Sequence, residues 1–135
     1  MIVVDANVLI GFLDASDAHH AAAVRILEDA VEEGYAASVL TVAEALVHPA
    51  KHGVDDRASS ALEAIGLTIL PLGSDDAATL ARVRAQYGVR MPDAVALHAA
   101  LTTKSRLATF DGGLASAARA AGVVVVVVVG APPSA

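Results

Sequence analysis

The chain begins, directly after Met1, with Ile2-Val3-Val4-Asp5-Ala6-Asn7. Three β-branched apolar residues in a row predict a short strand that is buried on both of its faces. The segment from Asn7 to Leu13 starts with a polar residue and is apolar after it, which predicts a helix directly after this strand. Asp5 therefore follows a buried strand, at the sheet edge where ligands bind in open α/β folds.

The rest of the chain continues this alternation of strand and helix. Further strands are predicted at residues 35–40, 67–72, 107–110 and 123–129, with helices between them. This order predicts an α/β domain with three layers, α/β/α, around a central, mostly parallel five-stranded sheet. We expect residues 1–130 to form one domain, and the Pro- and Ala-rich residues 131–135 to be a disordered tail.

Composition excludes several classes of protein. The 135 residues include fifteen acids against nine Lys and Arg, for a net charge of −6, which is unlike the basic surface of a general nucleic-acid binder. Four aromatic residues are too few for a base-stacking platform. The absence of cysteine excludes disulfides and thiolate zinc sites. No apolar run is long enough for a membrane helix and no basic segment precedes the apolar start, so we expect a cytoplasmic protein.

Four acidic residues lie at strand ends or in the first helical turn after them, and each also has a purely structural explanation. Asp5 could cap the next helix, and Asp93, after Pro92, suits the positive end of a helix dipole. Glu44 completes a T-x-x-E capping box with Thr41. Asp111 precedes two glycines and could belong to a turn.

The combination of these acids is harder to explain structurally. Because the carboxyl ends of parallel strands meet at one edge, all four side chains can converge there. Two carboxylates about 5 Å apart repel by roughly 3 kcal/mol at an effective dielectric near 20. Such a cluster requires a compensating cation or protonated carboxyls. Oxygen ligands with room for water are those that Mg²⁺ or Mn²⁺ prefers.

These residues resemble the motifs of PIN-domain ribonucleases, specifically the VapC-type toxins of toxin–antitoxin pairs. The resemblance extends over about residues 1–130. The matching segments are Ile2-Val3-Val4-Asp5-Ala6-Asn7, Leu40-Thr41-Val42-Ala43-Glu44, Met91-Pro92-Asp93-Ala94 and Leu107-Ala108-Thr109-Phe110-Asp111.

The resemblance implies a metal-dependent endoribonuclease that cleaves single-stranded RNA, forms a homodimer and is inhibited by a cognate antitoxin. It further implies that four carboxylates hold Mg²⁺ or Mn²⁺ and carry catalysis, with two polar residues in support. The four are Asp5, Glu44, Asp93 and Asp111, and the supporting residues are Asn7 and Thr109. Some relatives carry a further acid just after the position of Asp111, where this chain has Gly112 and Gly113.

Two alternative functions remain open at this stage. A catalytically inactive PIN-like interaction module would keep the same acids as caps and turns. A metal-dependent phosphatase would also place an aspartate after the first strand, but its second aspartate is replaced here by Asn7.

Basic residues are concentrated between positions 82 and 106, where five bases face a single acid. A solvated helix face would explain this charge equally well. The functional interpretation is that Arg84 and Arg90 flank the carboxylates and hold RNA phosphates.

Overall fold

The computed structural model describes residues 1–126, which are built around a parallel sheet. The strands are β1 Ile2–Val4, β2 Tyr35–Ser38, β3 Thr68–Leu70, β4 Arg106–Ala108 and β5 Val125–Val126. They lie in the order β3-β2-β1-β4-β5, and all four pairings are parallel. The predicted fold class is confirmed. Residues 127–129 of the predicted last strand, and the predicted tail at 131–135, lie outside the described residues.

Helices cover both faces of the sheet. They are α1 Ala6–Leu13, α2 His20–Asp29, α3 Val39–Lys51, α4 Asp55–Ala64, α5 Asp76–Tyr87, α6 Met91–Thr103 and α7 Gly112–Ala120. Ile2 and Val4 of β1 face one hydrophobic core, which α1–α4 close, whereas Val3 faces a second core closed by α5–α7. No helix in this part of the chain is long and apolar enough to cross a membrane.

The start of α3 differs from the prediction. The strand before it ends at Ser38 rather than at residue 40, and the helix begins at Val39. Thr41 therefore lies within the first helical turn, where it is buried, and does not occupy the N-cap. The capping-box interpretation of Glu44 is wrong, because the helix has already begun when the chain reaches Thr41.

Local turns between Asp14 and His19 precede α2. The Asp14 carboxylate accepts a hydrogen bond from the backbone N–H of Ser16 at 2.9 Å, and Asp17 accepts one from that of His19 at 2.8 Å. These turns satisfy the backbone N–H groups of Ser16 and His19 in non-helical conformations, so α2 begins only at His20.

Small residues allow α6 to be buried on almost all sides, between the sheet and the neighbouring helices. Every residue from Ala94 to Ala100 is buried, and four of these seven are alanine. A helix surrounded on all sides has room only for short side chains at its closest approaches, because protein interiors are close-packed.

We expect Ala100→Leu to lower the free energy of unfolding by about 1–3 kcal/mol, because Ala100 is fully buried and the added carbons must displace its neighbours. Ala64→Leu makes the same change at an exposed position of α4 and should have little effect. Urea unfolding of the two variants measures the difference. Equal stabilities would show that α6 is loosely packed.

Candidate active site

The pairing of β1 with β4 brings two distant segments of the chain together. Val4 lies opposite Ala108 in the sheet, and the backbone N–H of Asp5 donates to the carbonyl of Ala108 at 2.9 Å. Asp5 is also the N-cap of α1, and its Oδ1 accepts from the backbone N–H of Ala6 at 2.8 Å. The carboxylate is thus buried at the carboxyl edge of the sheet.

The hydroxyl group of Thr109 joins this carboxylate to the segment after β4. It donates to Oδ2 of Asp5 at 2.8 Å and accepts from the backbone N–H of Asp111 at 3.0 Å. It also accepts from Nδ2 of Asn7 at 3.3 Å. A hydroxyl has one proton and two lone pairs. The two incoming donors therefore direct the single proton of Thr109 towards Asp5.

Asn7 and Asp111 complete the connection between the two segments. Oδ1 of Asn7 accepts from the backbone N–H of Phe110 at 3.2 Å, so this amide contacts two successive residues after β4. Asp111 is the N-cap of α7 and accepts from the backbone N–H of Leu114 at 3.1 Å. Three predicted site residues therefore meet around Thr109.

The other two acids approach from different helices. Glu44 is exposed on α3, and Asp93 is half-buried in the first turn of α6. Partial burial of its carboxylate raises the pKa of Glu44, and the negative charge of Asp93 raises it further. Burial also raises the pKa of Asp93, with a further contribution from Asp111. The guanidinium of Arg90 acts in the opposite direction on both.

Asp5 shows the strongest perturbation. Burial raises its pKa from 3.8 to about 6, although the hydrogen bonds from Thr109 and Ala6 favour the anion. The charges of Asp93 and Glu44 raise the pKa further. The predicted carboxylates are therefore close enough to affect one another's ionisation.

The donor set fits a hydrated divalent cation of the magnesium type. The charged groups at this site are all carboxylates. Within residues 1–126, however, no group of three or more His, Asp or Glu side chains is placed to hold one ion together. Mg²⁺ keeps several of its waters and binds proteins through one or two carboxylates. Direct coordination by one or two of the acids, with the others bound through water, is consistent with the carboxylate donors and with the lack of a three-residue ligand group among residues 1–126.

The histidines occupy other places. His48 lies in the last turn of α3 and His52 is its C-cap, with their ring centroids 4.3 Å apart. His98 is buried in α6, with Nε2 3.6 Å from Oδ1 of Asp76. His19 stacks on Phe110, with a centroid separation of 4.4 Å, and so supports the segment that carries Thr109. The sequence has no periodicity that would have indicated this last contact.

Comparison with protein families matches residues 2–120 to the PIN domain. The chain belongs to the PIN-domain family. This match covers most of the chain, and it includes all four carboxylates and both supporting residues. The resemblance found in the motifs is confirmed at the level of family and fold. No curated protein matches the chain.

Solved structures of toxins and toxin–antitoxin complexes share the PIN fold. FitAcB of Neisseria gonorrhoeae is 26% identical, with a TM-score of 0.70, over 93% of this chain and 96% of that chain. A toxin–antitoxin complex from Klebsiella pneumoniae is 25% identical, with a TM-score of 0.64, over 82% and 87%. The sarcin–ricin-loop-cleaving toxin VapC20 of Mycobacterium tuberculosis is 18% identical, with a TM-score of 0.74, over 92% and 97%. At that identity, VapC20 shows the fold alone.

We expect the stability of Asp5→Asn relative to the wild type to increase with pH. The folded-state pKa of Asp5 is about 6, above its value in the unfolded chain, so the wild type loses stability as Asp5 ionises. Between about pH 4 and pH 8 this loss amounts to about 3 kcal/mol, and the variant does not have it. Urea unfolding in EDTA across this range measures the difference. Parallel stability curves would contradict the raised pKa.

Proposed function

We propose that this chain is the toxin of a toxin–antitoxin pair and acts in the cytoplasm as a Mg²⁺- or Mn²⁺-dependent endoribonuclease on single-stranded RNA. One observation carries the proposal. A member of the PIN-domain family gathers four carboxylates at the carboxyl edge of its sheet, where neighbouring negative charges raise the pKa values of Asp5, Glu44 and Asp93. Such a cluster is costly unless a cation compensates the charge.

We assign each acid a role in this reaction. Asp5, Asp93 and Asp111 would hold the metal, directly or through water. A bound Mg²⁺ or Mn²⁺ would neutralise charge on the phosphodiester and make water a better nucleophile. Glu44 is exposed, and its raised pKa suits a group that orients the attacking water and accepts its proton.

The reaction is an in-line displacement at phosphorus. A water oxygen forms the new bond to phosphorus as its proton passes to Glu44. The bond from phosphorus to the 3′-oxygen breaks, and that oxygen takes up a proton from solvent. The products are a 5′-phosphate and a 3′-hydroxyl, and no side chain becomes a covalent nucleophile. Thr109 and Asn7 act as positioning residues, because their hydrogen bonds hold Asp5 and the segment up to Asp111 in place.

A groove between α1 and α3 supports the proposal of an inhibitory antitoxin. It has a volume of about 520 Å³, and Ile10 and Leu13 form part of its apolar wall. Glu44 also lines this groove, so a segment bound there would reach the carboxylates. We also propose a homodimer, because three large apolar side chains of one helix, Val39, Leu40 and Val47 of α3, are each 42–51% exposed, and a group of exposed apolar side chains marks an interaction surface.

A catalytically inactive interaction module is the second candidate. Two of the four acids, Asp5 and Asp111, make helix N-cap hydrogen bonds, so a structural role would be sufficient to retain them. The two candidates differ in what they require of Asp111. Capping needs only a side-chain oxygen, whereas metal binding needs the negative charge.

We expect Asp111→Asn to lower the rate of single-stranded RNA cleavage by about a hundredfold or more while leaving stability nearly unchanged. Asparagine caps a helix about as well as aspartate, but it is a neutral and weaker ligand. Asp111→Ala should also lose about 1 kcal/mol of stability, because the bond to Leu114 is removed. Cleavage of a labelled oligoribonucleotide in Mg²⁺ or Mn²⁺ and urea unfolding measure the two effects.

Asp93→Asn and Asp75→Asn serve as a matched pair in the same assay. Asp93 belongs to the carboxylate cluster, whereas Asp75 is an exposed acid at the N-cap of α5. Only Asp93→Asn should lose activity. Equal cleavage by all variants would indicate a contaminating nuclease, and the absence of both cleavage and metal binding in the wild type would favour the interaction module.

A further inference from the structure

Next to the carboxylates, the end of α5 and the start of α6 enclose an open groove of about 560 Å³. We call it the arginine groove, because Arg84 and Arg90 both line it. We propose that the arginine groove binds one unpaired nucleotide of the RNA strand beside the cleaved phosphodiester. This inference rests on the proposed function and specifies where the substrate strand lies. The remaining lining residues are Ala81, Ala85, Gly88, Val89 and Met91.

The charge of the arginine groove suits a phosphate group. No acidic residue is among its lining side chains. Within residues 1–126 neither Arg84 nor Arg90 pairs with a carboxylate, in contrast to Arg25 and Arg106, which each have an acidic partner. Two guanidinium groups without such partners are free to contact phosphate oxygens, to which arginine makes bidentate hydrogen bonds.

The arginine groove continues into the carboxylate site through Arg90. This residue is the N-cap of α6, and Asp93 lies in the first turn of the same helix. The charge of Arg90 reaches both Asp93 and Glu44, since it lowers the pKa of each. A phosphate held by Arg90 would therefore be close to the phosphate at the carboxylates, as neighbouring phosphates of one strand are.

The apolar part of the arginine groove suits a base. Met91 is 39% exposed, and Ala81, Ala85 and Gly88 present little side-chain bulk. The volume of the arginine groove falls within the range of about 300–1,000 Å³ that is typical of small-molecule sites. A base in a duplex is stacked and paired, so only an unpaired base could use this wall.

The test compares Arg84→Ala with Arg82→Ala. Both residues are exposed on α5, but they are two positions apart and so point to different sides of the helix, and Arg82 does not line the arginine groove. Binding of a fluorescein-labelled single-stranded oligoribonucleotide in EDTA, over a series of salt concentrations, separates binding from cleavage. We expect Arg84→Ala to weaken binding roughly tenfold and to reduce the slope of log K against log salt by about 0.7. Arg82→Ala should leave both nearly unchanged.

A second variant tests the base contact. Met91→Ser removes apolar surface without changing charge, so it should weaken binding of the single strand while the salt slope stays as in the wild type. Equal binding by Arg84→Ala and Arg82→Ala, in a protein that cleaves RNA, would overturn the arginine groove alone. A wild type that neither binds nor cleaves RNA would overturn the proposed function as well.

Discussion

The register between β1 and β4 is the constraint on which the site depends. β1 has only three residues, but it is paired on both sides, with β2 and with β4. With Val4 opposite Ala108, the next residues of the two strands, Asp5 and Thr109, come into hydrogen-bond contact. A shift of one residue would turn alternate side chains to the other face of the sheet and separate the pair. The hydrogen bond from the backbone N–H of Asp5 to the carbonyl of Ala108 holds this register.

The same hydrogen bonds serve both the fold and the site. Asp5 begins α1 and Asp111 begins α7, and in each case the bond that caps the helix also fixes the carboxylate at the sheet edge. Capping and function are therefore not competing explanations for these residues. The cost lies in the burial of a charge, since the pKa of Asp5 is about 6 despite two hydrogen bonds to its carboxylate.

Much of this arrangement could be predicted because the relevant patterns are local. A continuous apolar strand followed by a carboxylate places that carboxylate at the edge of a parallel sheet, whatever the rest of the chain does. The capping-box interpretation of Glu44 failed, because the T-x-x-E pattern is valid only if Thr41 is the N-cap of the helix. Strand β2 ends at Ser38 instead, and the Thr41 side chain is buried. The residue at which a strand ends depends on the strands and helices packed beside it, and a local sequence pattern carries no information about them.

The order of residues alone was enough to predict the fold class, the five strands and the edge at which the acids stand, because hydrophobic periodicity and strand direction are properties of short segments. The direction of the Thr109 proton, the raised pKa of Asp5 and the groove that Arg84 and Arg90 line required the folded chain. These features depend on distances through space, and Asp5 and Thr109 are 104 positions apart in sequence. Hydrogen bonds act over about 3 Å and charges over about 10 Å, so only packing could bring those groups within range.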